Sequence, residues 1–223
     1  MEESQRPVLD WSDGPTVPTM HFALDTLLQG GLPRGSITEV YSTNLSAAHL
    51  LHTVAVSSCR GRGALLIDTR GTPAAHLLQI AKSRNLPVRS PVSVFRVFTF
   101  ADACALLHAL PSWISTRGAV DFIGLDCMAD LFYTCQDNSA KRMEGFVNRL
   151  RGMSIQFNAA VLITNAARVH QNRVTTVMGE QWHHVCANRL HMQQNPSCIR
   201  VVKSILTEPK IVPYQLTEAG VID

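Results

Sequence analysis

Short apolar runs alternate with longer helical stretches through most of this chain, and that alternation restricts the fold more than any other feature. Strands are expected over 37–41, 64–68, 92–98, 122–126 and 159–164, with helices over 47–59, 73–83, 101–110 and 140–156 between them. Strands that are apolar throughout, separated by helices, imply a parallel sheet covered on both faces. The character changes after Val185. There 187–192 and 198–204 flank Gln193-Gln194-Asn195-Pro196, a hairpin signal, and 211–216 offers a third strand. The expected class is therefore α/β, with a mostly parallel central sheet flanked by helices and an antiparallel C-terminal extension. A short helix from Leu24 is expected to end at Gly30-Gly31 and a turn around Pro33. Residues 1–18, rich in Pro, Asp and Ser, are expected to form an arm that Leu9 and Trp11 can dock, outside one core domain at 19–223.

Between the first of these strands and its helix lies Ser42-Thr43-Asn44-Leu45-Ser46-Ala47-Ala48-His49. That is where a phosphate-binding loop, G-x-x-x-x-G-K-[ST], would stand. Such a loop wraps phosphate with consecutive backbone N–H groups, which requires positive φ and close approach. Residues with side chains resist that geometry by about 1–2 kcal/mol each, and no glycine or lysine occurs from Ser36 to Arg60. The lysine position falls on Ala47 or Ala48, neither of which can neutralise a phosphate. The helix N-terminus still offers free N–H groups to a weakly held anion. An ordinary strand-to-helix turn that never bound phosphate is the competing reading of Ser46, Ala47, Ala48 and His49.

A content of 46% hydrophobic and 17% charged residues suits a folded core and excludes a disordered polar chain. No apolar stretch approaches the ~20 residues of a membrane-spanning helix. The polar start, Met1-Glu2-Glu3-Ser4, is unlike a signal peptide. A net charge of +3 neither indicates nor opposes a nucleic-acid partner. The six cysteines show no C-x-x-C pattern and lie in mostly apolar contexts, as reduced buried thiols do. His183-His184 is the one adjacent histidine pair, and neighbouring residues do not converge on one ion, so no metal site is expected.

Taken in order, several blocks resemble the ATPase core of RecA/RadA-type strand-exchange recombinases, especially the eukaryotic recombinase-paralog branch. Leu24–Tyr41 resembles the entry to that core, and Ala64-Leu65-Leu66-Ile67-Asp68-Thr69-Arg70-Gly71-Thr72 its I-D-T-E-G-T-F block. Phe122-Ile123-Gly124-Leu125-Asp126 resembles the Walker B strand, and Leu162-Ile163-Thr164-Asn165 the strand leading to the second DNA loop. Gly179 and Trp182 with Asn188-Arg189-Leu190, and then Pro213–Gly220, resemble blocks near the end of the core. The resemblance implies a RecA-like fold over 24–223, without the small helical domain that precedes the core in full-length recombinases.

The departures from the family pattern are chemical. Arg70 stands where the resemblance places the glutamate that polarises the attacking water, and Ala166 where it places a nucleotide-sensing glutamine. Asp126, the Walker B remnant, would hold Mg²⁺ through water in an active relative; its other reading is a strand-end carboxylate that orients nearby loops. The expectation is a degenerate P-loop ATPase that is not an enzyme, has no cofactor and does not bind ATP in its own site. The resemblance places DNA loops at 132–142 and 167–180. Candidate DNA contacts are Lys141, Arg142, Arg168 and Arg173, with His170 nearby. Solvated loops are the alternative, and Lys141, Arg142, Arg149 and Arg151 also read as the wet face of one helix.

The implied function is a non-catalytic paralog in homologous-recombination DNA repair. It would bind another paralog or the recombinase in the nucleus and remodel or stabilise the filament on single-stranded DNA. The alternative is an ATPase-complex subunit acting in trans, with Arg70 or a basic residue near 179–189 reaching a partner's nucleotide.

Overall fold

The computed structural model describes residues 14–71, 74–87, 89–135, 140–170 and 173–223, with the backbone alone at 140, 170, 173, 180 and 181. The first elements are β1 (Thr16–Val17), α1 (Phe22–Leu27), β2 (Leu32–Pro33), β3 (Ile37–Ser42) and α2 (Ser46–Ser57). Then come β4 (Ala64–Asp68), α3 (Ala74–Ser83), β5 (Val92–Arg96), α4 (Phe100–Arg117), β6 (Phe122–Asp126), α5 (Met128–Tyr133) and α6 (Ala140–Gln156). The chain closes with β7 (Ala160–His170), β8 (Arg173–Thr176), β9 (Asn188–Gln194), β10 (Ser197–Lys203), β11 (Ile211–Pro213), β12 (Gln215–Thr217) and β13 (Gly220–Ile222).

The main sheet runs β11-β10-β9-β3-β7-β6-β4-β5, with β8 folded back on β7. Its strands from β9 to β5 are parallel. β3, β4 and β6 are buried along their whole length; β4 and β6 therefore read as apolar runs up to a closing aspartate, while β3 carries Thr38 and Glu39 inside the core. Successive side chains feed opposite faces. Val40 and Leu66 pack toward α2, while Ile37, Leu65 and Ile67 pack toward α4 and α6. Gly124 lets α2 approach the sheet: a Cβ there would lie 2.6 Å from Leu66 Cδ2 and 2.8 Å from Leu51 Cδ1. This layering brings the carboxyl ends of β3, β4 and β6 to one edge, where open parallel sheets hold their ligands.

The α/β class with a mostly parallel sheet is what the alternation implied; several boundaries differ. The helix expected over 101–110 runs on to Arg117 with Pro111 inside it. Leu107, Leu110 and Ile114 continue one buried face through the proline, so packing outweighs the lost backbone hydrogen bond. α5 was not foreseen; the stretch taken as the first DNA loop, 132–142, holds its last two residues and the first turn of α6, and residues 136–139 lie outside the described residues. The second stretch, 167–180, begins as a hairpin in which Ala167 faces Thr176 and Val169 faces Val174. The β-branched run from Val174 supports that pairing. The strand expected over 211–216 divides at Tyr214, and β12 leaves the main sheet to pair with β13. Strand β9 is antiparallel to β10 but parallel to β3, so the antiparallel part of the main sheet begins beyond it.

At the other end, Thr16 and Val17 pair with β2 and Val17 is buried, so the core begins within the stretch assigned to the arm. Leu9, Trp11 and the rest of 1–13 lie outside the described residues. Arg151 is not part of a wet face, since it donates to Val185 O at 2.8 Å. Arg149 pairs with His108.

Candidate functional site

The bend after β3 satisfies itself. Asn44 Oδ1 accepts the Ser46 amide at 2.9 Å, and Ser42 Oγ accepts the Ala47 amide at 3.3 Å. These are the first N–H groups of α2, the ones a phosphate would need. Ser42 Oγ in turn donates to Asn44 O at 2.5 Å, and Asn44 Nδ2 donates to Gln194 Oε1 at 2.7 Å. Ser46 is buried and accepts from the Tyr214 hydroxyl at 3.0 Å. Ala47 is a buried methyl group in the core against the sheet, and Ala48 is a largely buried methyl group that faces the cavity. The helix end is thus capped by neighbouring side chains and offers no cation.

Across the cleft, Asp68 and Asp126 end adjacent strands in register. The Asp68 carboxylate accepts the amides of Arg70 and Gly71 at 3.1 and 2.9 Å and the Arg96 guanidinium at 3.0 Å. Arg70 turns inward. Its Nε donates to Asp130 Oδ2 at 2.5 Å, and its Nη2 to Cys127 Sγ at 2.8 Å. A residue at that position with this pairing is a fixed cation and cannot accept a proton from water. Cys127 is held at φ +62°, in the left-handed region, where the chain leaves β6 for α5. Burial and the Arg70 pairing oppose each other on the Cys127 thiol; burial wins and pushes it up to about 12.

Asp126 accepts the Thr164 hydroxyl at 2.9 Å. Burial pushes its carboxyl above the ordinary carboxylate value, with Thr164 and Arg70 working against that rise. A cavity of about 320 Å³ separates it from the α2 bend, bounded by Leu45, Ala48 and His49 on one side and by Arg70 and Asp126 on the other. Its remaining wall holds His52 and His76, whose Nδ1 atoms lie 3.2 Å apart. The structure therefore brings Asp126, Arg70 and the bend at 42–49 around one cavity, with Ser46 and Ala47 beneath the surface.

The other candidates lie elsewhere. Lys141 and Arg142 are exposed on the first turn of α6, and Arg168 is exposed on the outer end of β7. Arg173 faces His170 in the hairpin, and its side chain lies outside the described residues. Ala166 pairs with Ser42 across β7 and β3.

Sequence reasoning missed the histidine wall and a buried cluster beneath the site. His49 and His52 are three apart on α2, a spacing that places both on one helix face. Below, Glu39 is fully buried and accepts Asn165 Nδ2 at 2.7 Å, Trp182 Nε1 at 2.6 Å and Arg189 Nε at 2.6 Å. Arg189 also lies over the Tyr41 ring, 5.3 Å from its centroid. The cluster ties β3 to β7 and β9, so it fixes the strand from which the bend emerges. A charged residue inside an apolar strand, Glu39 between Thr38 and Val40, was the available signal.

Residues 16–223 match the Rad51 family. The DNA repair protein RAD51 homolog 3 of Dictyostelium discoideum is 22% identical, the match covering 90% of this chain and 63% of that protein. Its counterpart of the same name in Cricetulus griseus is 25% identical, over 92% of this chain and 68% of that protein. The DNA repair and recombination protein RadB of Methanoculleus marisnigri is 25% identical, over 92% and 96% respectively. The chain thus spans less than two thirds of the Dictyostelium relative.

Proposed function

We propose that this chain, which belongs to the Rad51 family, is a non-catalytic paralog acting in homologous-recombination DNA repair. In this reading it docks on another paralog or on the recombinase, in the nucleus, and stabilises or remodels the recombinase filament on single-stranded DNA. Relatives named as DNA repair proteins support the setting.

The observation that carries the non-catalytic part is Arg70. The group at the glutamate position is a guanidinium clamped by Asp130, next to Asp126 and facing a loop whose amides are already capped. Three requirements of ATP hydrolysis are met here by unsuitable chemistry: a phosphate cradle, a cation at the phosphates and a base for water. The in-trans alternative draws no support from these contacts. Arg70 is engaged within its own chain, and Arg189 is buried against Glu39.

The test pairs two measurements on the purified chain. Phosphate release with Mg·ATP and single-stranded DNA is expected to stay at background, and a recombinase or second paralog is expected to co-purify from nuclear extract. Turnover by the isolated chain would refute the non-catalytic reading. Absence of any recombinase-family partner would refute the docking role.

A further inference from the structure

The cavity that separates the α2 bend from Asp126 has the wrong polarity for an anion. Two charged groups line it, the Asp126 carboxylate and the Arg70 guanidinium, and behind them Asp130 and Asp68 each hold a guanidinium, Arg70 and Arg96, so that Asp126 is the lining charge with no ion pair of its own among the described residues. Arg96 is paired with Asp68 at 3.0 Å and Arg70 with Asp130 at 2.5 Å. Among the described residues, the Asp126 carboxylate accepts one hydrogen bond, from the neutral Thr164 hydroxyl. The opposite wall is built of imidazoles. His49 Nδ1 is buried with no hydrogen-bond partner among the described residues. Burial holds His49, His52 and His76 below the ordinary imidazole value, so near neutral pH they present lone pairs and N–H groups without charge. Leu45 and Ala48 add apolar surface for methylenes. A buried carboxylate with an incomplete partner set, facing neutral acceptors, favours a cationic donor.

We propose that this cavity holds a guanidinium or primary-ammonium group, in the place where a phosphate loop would hold phosphate. Its volume of about 320 Å³ admits such a head group on a short aliphatic stem. The cation comes either from a free small molecule or from an arginine or lysine side chain of a docked protein. The proposal stands independently of the docking role, since binding of a small cation is read on the chain alone.

The experiment uses the full chain with isotope-labelled histidine, followed by NMR near neutral pH. Three probes are titrated separately: agmatine, the capped tripeptide acetyl-Gly-Arg-Gly-amide, and pyrophosphate. Both cations are expected to shift the His49, His52 and His76 signals saturably, and pyrophosphate to leave them in place. Binding of agmatine without the tripeptide assigns the site to a free small cation; binding of both assigns it to a protein side chain. Asp126→Asn, which keeps the shape and removes the charge, is expected to weaken agmatine at least tenfold. Ala48→Lys, which tethers an ammonium at the cavity wall, is expected to abolish its binding without touching Asp126. Saturable shifts with pyrophosphate alone, no saturable shift with either cation, or unchanged affinity in Asp126→Asn would each overturn the assignment.

Discussion

Arg70 and Asp130 face each other as a two-pronged pair, Nε to Oδ2 at 2.5 Å and Nη2 to Oδ1 at 3.4 Å. The pair lies between the ends of β4 and β6, where the family resemblance places a catalytic carboxylate. Replacing Arg70 with glutamate restores that residue type, yet it sets a fourth carboxylate among Asp68, Asp126 and Asp130. Stability is expected to fall by roughly 1–2 kcal/mol, discounted because the lost pair is partly solvated. Phosphate release is expected to remain at background, since the cradle and the lysine are still missing. Urea unfolding and a phosphate-release assay on Arg70→Glu read both; a gain of turnover would contradict the non-catalytic reading.

Glu39 and Arg189 are both almost fully buried, with Nε to Oε2 at 2.6 Å. Removing only the cation, as in Arg189→Met, strands the Glu39 carboxylate in the interior and is expected to cost about 3–5 kcal/mol. The double change Glu39→Gln with Arg189→Met removes both charges and is expected to recover more than half of that loss. Equal losses for single and double variants, in chemical denaturation, would show that the charge itself is not what the cluster balances.

Restoring only the lysine should not restore nucleotide binding. Ala48→Lys leaves the Ser46 and Ala47 amides capped by Asn44 and Ser42, and its ammonium has Asp126 across the cavity. A ligand at a hundred times its dissociation constant would add about 2.7 kcal/mol to stability. Millimolar Mg·ATP is therefore expected to leave the melting temperature of Ala48→Lys unchanged. An upward shift would mean that the bend can still open into a phosphate cradle.

The sheet was legible because burial on both faces leaves little freedom: β4 and β6 begin with their apolar runs and end on the aspartate that closes each. The long α4 was not, since Pro111 carries a strong local stop signal that only the tertiary packing of Ile114 overrides. The hairpin of β7 and β8 escaped notice for a related reason. Its strands project beyond the core, so no continuous apolar run marks them. At the site, the loss of the lysine and glycines and the charge reversal at Arg70 could be read directly from residue identity. What replaced them could not, because His76 joins His49 and His52 only when α3 packs on α2, and Asp130 meets Arg70 only after the left-handed turn at Cys127.

That histidine wall has a pH signature. His52 lies against His76 Nδ1 at 3.2 Å, with His49 on its own helix and Asp68 at the end of β4 also acting on it. Burial, reinforced by the other two imidazoles and opposed by Asp68, lowers His52 from 6.5 to about 4. The unfolded chain therefore holds the extra proton between those values. The contribution to stability is complete above the unfolded value, declines as pH falls, and stops changing below the folded one. One pH unit of this linkage is worth about 1.4 kcal/mol, so acidification from pH 7 to pH 5 is expected to remove roughly 2 kcal/mol through His52. His52→Leu should flatten that part of the pH dependence, leaving a smaller slope from His49 and His76. Denaturation midpoints at the two pH values, in both proteins, measure it. An identical loss in His52→Leu would mean that the buried imidazole is not the group that titrates.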